Sequence, residues 1–94
     1  MEKYQKRDVP DAPPIRAIQL TKENVKEVAV WCGGREVEEI DALDPEKTYV
    51  GLNLSSWSGM VRASEGDYII KDSLDTFHVR WPGEFEHQFK KVED

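Results

Sequence analysis

The chain has little of what most catalytic, metal-binding or secreted small proteins rely on. Among its 94 residues there is one cysteine, Cys32, so no intrachain disulfide can form. A small secreted fold usually needs several such bridges, and their lack points to a reducing compartment. Histidine occurs only at His78 and His87, and neither has a second imidazole two to four residues away. That spacing excludes a compact zinc-ligand pair and leaves only a scattered site with Cys32 conceivable. No apolar run approaches the roughly 18 residues of a membrane span, and MEKYQKRDVPDAPP carries no apolar signal core. The sequence therefore predicts a cytoplasmic protein without a membrane segment. Nor is there a basic cluster. With 13 Lys and Arg against 19 Asp and Glu, the net charge of −6 argues against a nucleic-acid partner held by phosphate contacts.

What the chain does have is enough apolar residues to fold. Its 38% hydrophobic content includes three each of Trp, Tyr and Phe, above what a disordered chain carries. A chain this short buries roughly 60–65% of its unfolded surface, which suits one domain with one core. Residues 1–14 hold three of the five prolines, at 10, 13 and 14, and six charges that cancel. Lacking amide donors at those prolines, this stretch reads as a flexible, solvated leader rather than a strand. The domain proper is then residues 15–94.

Periodicity sets the elements. Ile15–Leu20 reads as a strand. Thr21 follows as a hydroxyl N-cap, and Val25, Val28, Ala29 and Cys32 make one helical stripe, so a helix is predicted over Lys22–Cys32 and stopped by Gly33-Gly34. Residues 36–46 carry six carboxylates in eleven positions, with Val37, Ile40 and Leu43 as candidate core contacts from a short strand or turn. Tyr49–Leu54, Met60–Ala63, Asp67–Lys71 and Thr76–Trp81 follow as strands separated by the turns SSWSG, Glu65-Gly66 and 72–75. Phe85 and Phe89, four apart within Glu84–Val92, suggest a short C-terminal helix. The fold class predicted is α+β: a small antiparallel sheet, drawn mostly from residues 49–81, with one amphipathic helix packed on it and a short C-terminal helix.

The segment GMVRASEGDYIIK at 59–71, then Phe77 and Pro82-Gly83-Glu84-Phe85-Glu86-x-x-Phe89, resembles a family of small uncharacterised phage and prophage proteins. Their pattern is Ala-x-x-Gly-Asp, an aromatic, Ile-Ile and a basic residue, and later Pro-Asp-Ile-Phe-Glu-x-x-Tyr. Ala17–Thr21, Asn24, Val25 and the stretch to Trp31 extend the resemblance over most of the chain. The chain departs from it at Asp75-Thr76, where relatives have Gly-Glu, and at His78-Val79-Arg80, where they have Tyr-Pro-Cys. The resemblance implies a phage accessory protein and assigns no activity. The same residues also read as folding signals: Gly66 for a turn, Asp67 to hold its backbone, and Tyr68–Ile70 as strand formers.

Candidate chemistry is sparse. Cys32 lies on the apolar stripe, where a thiol behaves as a small hydrophobe. Glu36, Glu38, Glu39, Asp41, Asp44 and Glu46 read as a solvated acidic face, with a cation site or a phosphate-backbone mimic as alternatives, though the Asp-x-Asp-x-Asp-Gly spacing is missing. No catalytic residue, metal or cofactor is implied. Trp57, in a Ser-rich turn with little to pack on, is the leading candidate anchor for a host or phage protein partner, with Arg62, Arg80 and Trp81 as further partner-binding candidates. The alternatives are an oligomeric protein sequestering a nucleotide-like molecule through Arg62, Arg80 and Trp57, and a minor virion component.

Overall fold

Strands whose apolar residues alternate can cover two different layers, one with each face, and this chain does so. A computed structural model describes residues 1–92. The elements run β1 (Glu2–Lys6), β2 (Ile15–Gln19), α1 (Val25–Cys32), β3 (Arg35–Ile40), β4 (Thr48–Ser56), β5 (Gly59–Ser64), β6 (Tyr68–Lys71), β7 (Phe77–Arg80), α2 (Pro82–Gln88) and β8 (Phe89–Lys91). They form an α+β fold of two antiparallel sheets, one ordered β7-β6-β2-β1-β8 and the other β3-β4-β5.

The α+β class, the mid-chain helix and the C-terminal helix are those the sequence predicts, and the detail that differs is the division of the strands into two antiparallel sheets. β5 and β6 are consecutive, yet the chain turns at Gly66 (φ 97°), and β6 pairs with β2 across some fifty residues of chain. The turn is held as its residues suggest: Asp67 Oδ2 accepts the Ser64 amide at 2.9 Å, and the Gly66 amide donates to Leu20 O at 2.8 Å. Burial follows the new layering. Leu20, Val25, Val28, Cys32, Leu52, Leu54, Ala63 and Ile69 form one core between α1, the small sheet and one face of the large sheet. On the other face Ala17, Ile70 and Phe85 form a second core beneath α2, flanked by Tyr4, Ile15, Tyr68 and Phe89. Alternation along β6 explains the split, because Ile69 faces one core while Tyr68 and Ile70 face the other. The chain thus builds two apolar clusters where its length suggested a single core.

The amino-terminal segment is also a correction. Glu2–Lys6 is an interior strand, paired with β2 through Tyr4↔Ile15 and with β8 through Tyr4↔Lys91. The prolines that suggested a solvated leader lie after it, in the connection to β2, where no ladder amide is needed. Gln5 Nε2 donates to Pro10 O and Ala12 O, folding that connection back, while the Arg7 amide donates to Gln88 O at 2.8 Å. Residue 15 is therefore not a boundary of the sheet.

The helix begins at Val25, three residues later than predicted. Thr21 and Asn24 exchange bonds, Thr21 N donating to Asn24 Oδ1 (2.8 Å) and Asn24 N to Thr21 Oγ1 (3.2 Å), which holds the intervening residues in a turn. Gly33 closes the helix in the left-handed conformation (φ 66°). At the other end Pro82 opens α2, as its fixed φ favours. The helix stops at Gln88 because Phe89 turns extended to pair with β1, while still stacking on Phe85 at 5.0 Å. Of the acidic segment, Val37 is half-buried in β3, but Ile40 and Leu43 are exposed and reach no core.

Candidate functional site

The sequence SSWSG becomes the tip of the β4–β5 hairpin. Ser56 pairs with Gly59, leaving Trp57 and Ser58 as a two-residue loop, and Gly59 takes φ 112°, open to glycine but strained for other residues. Ser56 Oγ donates to Gly59 O at 2.8 Å and accepts the Ser58 amide at 3.2 Å. Its single proton is thereby used, so in the 3.1 Å contact between the two hydroxyls Ser58 is the donor. The serines order the loop from within.

Trp57 leaves this loop 71% exposed, with one neighbour ring among the described residues: His78 of β7, centroids 6.4 Å apart and tilted by 42°. His78 is itself fixed. Its Nε2 lies 2.8 Å from Asp72 Oδ2, while Asp72 Oδ1 accepts the amides of Leu74 (2.9 Å) and Thr76 (3.0 Å). Burial pushes the Asp72 carboxyl up, but the bonds from His78, Thr76 and Leu74 outweigh it and leave the group below its usual range. The ionised carboxylate only accepts, so Nε2 carries the ring proton. His78 Nδ1 is buried without a partner among the described residues. The β6–β7 turn thus forms a platform beside the hairpin tip.

The other sequence candidates are spread out. Arg62 is on β5, its Nε donating to Asn53 Oδ1 at 3.0 Å. Arg80 is on β7 in the other sheet, with Nη1 donating to Val79 O and Nε 3.6 Å from Glu84. Trp81 precedes α2 and is 73% exposed. Among the described residues no hydrogen bond or ring contact joins these three to Trp57. Open clefts of about 310 to 450 Å³ on the surface are lined by none of the four. His78 and Asp72, which the sequence did not single out as site residues, are what the structure brings to Trp57. Trp31, by contrast, packs edge-to-face on Phe77 at 5.3 Å and belongs to the core.

Groups that invite a chemical reading have structural partners. Burial pushes the Cys32 thiol up, disfavouring the thiolate. Asp41 Oδ1 accepts the amides of Leu43 and Asp44, and Asp44 Oδ1 that of Glu46, so these acids shape the β3–β4 loop. Among the described residues no three His, Cys, Asp or Glu side chains are grouped to hold a metal ion, and no helix is long and apolar enough to cross a membrane. The chain matches no protein-family profile, and no curated protein or solved structure is significantly similar to it.

Proposed function

We propose that this protein is a non-enzymatic binding module that engages another protein through the β4–β5 hairpin tip, with Trp57 as its anchor. The observation that carries the reading is an indole 71% exposed on a loop already held in place. The Ser56–Ser58–Gly59 bonds and the neighbouring His78 leave little of the loop to be ordered on binding. A rigid exposed aromatic gives contact area at low entropic cost, the usual profile of an interface hot spot. The family resemblance supplies the setting proposed: an accessory protein in the cytoplasm of a phage-infected cell, acting on a host or phage protein.

Trp57→Ala tests the proposal through two measurements. The melt should shift by no more than about 1 kcal/mol, since so little of the ring is covered. Capture of the bound protein from infected-cell lysate should weaken by about 2 kcal/mol or more. A stability loss of about 3–5 kcal/mol would make Trp57 a structural residue. Unchanged capture with an intact fold would end its role as anchor.

A further inference from the structure

We propose that the outer face of the three-stranded sheet receives an acidic, extended segment of the protein partner, gripped by Arg35 and Arg62 on either side of Asn53. The proposal rests on the reading that the ligand is a protein, and it names that protein's chemistry. Register is the starting point. Arg35 pairs with Asn53, and Asn53 pairs with Arg62, so the three side chains form one cross-strand row on a single face. Leu52, Leu54 and Ala63 point into the core, so the row points away from it. None of the described residues covers this face near the tip: Arg35, Ser55 and Arg62 are exposed, and Met60 is 71% exposed.

Charge gives the row its character. In a chain with 19 acidic and 13 basic residues, some of the cations are held in ion pairs with carboxylates. Lys71 pairs with Asp75, Arg80 with Glu84 and Lys91 with Glu2. Neither Arg35 nor Arg62 has an ion pair among the described residues. Among the residues whose ladder positions face outward on β3, β4 and β5, Glu39 is the only carboxylate. It lies toward the end away from the tip, accepting from Ser64 Oγ at 3.3 Å.

Arg62 is aimed by its Nε bond to Asn53, which leaves both terminal nitrogens open for a bidentate carboxylate. Strands lie about 4.8 Å apart, so the two arginine backbones stand about 10 Å apart across the row. Arginine side chains reach from there to carboxylates on alternate residues of an extended segment, roughly 7 Å apart. Two such cations suit a short acidic peptide, whereas nucleic acid needs a longer basic track than this acidic chain offers.

The test uses the full chain and a labelled peptide of alternating Glu and Ser, with the Lys/Ser peptide as control. In wild-type protein the acidic peptide should shift the NMR signals of the Arg35 and Arg62 side-chain Nε–H and the Asn53 amide, and added salt should weaken it. Arg35→Glu/Arg62→Glu, with its melt checked, should weaken binding by at least about tenfold. Lys90→Glu, at an exposed position on β8 of the other sheet, should leave it unchanged, and the probe has nothing to fill an aromatic contact at Trp57. Shifts confined to other cations, equal binding of the Lys/Ser peptide, or an unaffected double variant would overturn the proposal. Because the peptide assay bypasses Trp57, failure here leaves the lysate result for Trp57→Ala standing, and the reverse holds too.

Discussion

Tyr4 meets Phe85 edge to face, with ring centroids 4.9 Å apart and planes at 79°, so the first strand is locked to the second helix across eighty residues of chain. Phe85 is buried and also stacks on Tyr68 at 4.0 Å. Tyr4→Ala should therefore cost about 2–4 kcal/mol, near the lower part of the range for large aromatic truncations because the ring is only half-buried. Deleting residues 1–6 should do more, removing a strand that β2 and β8 both pair with and leaving two raw edges. A denaturant melt that is unchanged by the deletion would show that β1 contributes nothing to the folded sheet.

Alkaline titration probes the same contact. Burial, the neighbouring Tyr68 and the Glu2 carboxylate push the Tyr4 hydroxyl up to about 12. A folded value above the unfolded one, about 10, means the stabilisation is fully present below that value and is lost as pH rises through about 12. Tyrosinate absorbance in wild type should show a late-ionising component that Tyr4→Phe diminishes, with Tyr68, also pushed up by burial, contributing the remainder. A titration identical in the two proteins would contradict the assignment.

Asp72 organises the β6–β7 turn, and acid should reveal it. Its folded value lies below the unfolded one, so its stabilisation is present above about pH 4 and disappears as pH falls through the folded value. Asp72→Ala should cost about 1–3 kcal/mol near neutrality, by freeing the Leu74 and Thr76 amides and His78 Nε2. The variant's thermal midpoint should also fall less steeply between neutral pH and pH 3. Equal acid limbs would mean the carboxylate is not stabilised in the fold. The change should also loosen the platform under Trp57, read as a shift in indole fluorescence.

Gly51 sits mid-strand in β4 where the Glu39 side chain crosses it. A Cβ at that position would collide with Glu39 Oε1 and lie 3.0 Å from Val37 Cγ2 and 3.2 Å from Ala63 O. Gly51→Ala should destabilise by about 1–3 kcal/mol, despite alanine's better strand entropy. Adding Glu39→Ala should recover part of that loss. If the double variant is no more stable than Gly51→Ala alone, the backbone contact with Ala63 dominates instead.

Local residue chemistry settled several elements. Val50, Leu52 and Leu54 alternate because one face of β4 is buried, and that period is visible without tertiary information. Gly33 ends α1 and Gly66 with Asp67 makes the β5–β6 turn through backbone preferences that act within a few residues. The exposure of Trp57 was equally legible, since Ser55, Ser56, Ser58 and Gly59 are too small to cover an indole. Where the information lies far apart in the chain, sequence alone did not decide. Glu2–Lys6 and Phe89–Lys91 are polar, short segments whose strand state depends on each other and on Tyr4 reaching Phe85. The same holds for the division into two sheets, for Phe89 leaving its helical position, and for His78 and Asp72 meeting Trp57. Each arises because distant pairings bury apolar area and satisfy backbone amides together, a gain that exists only once the chain has folded.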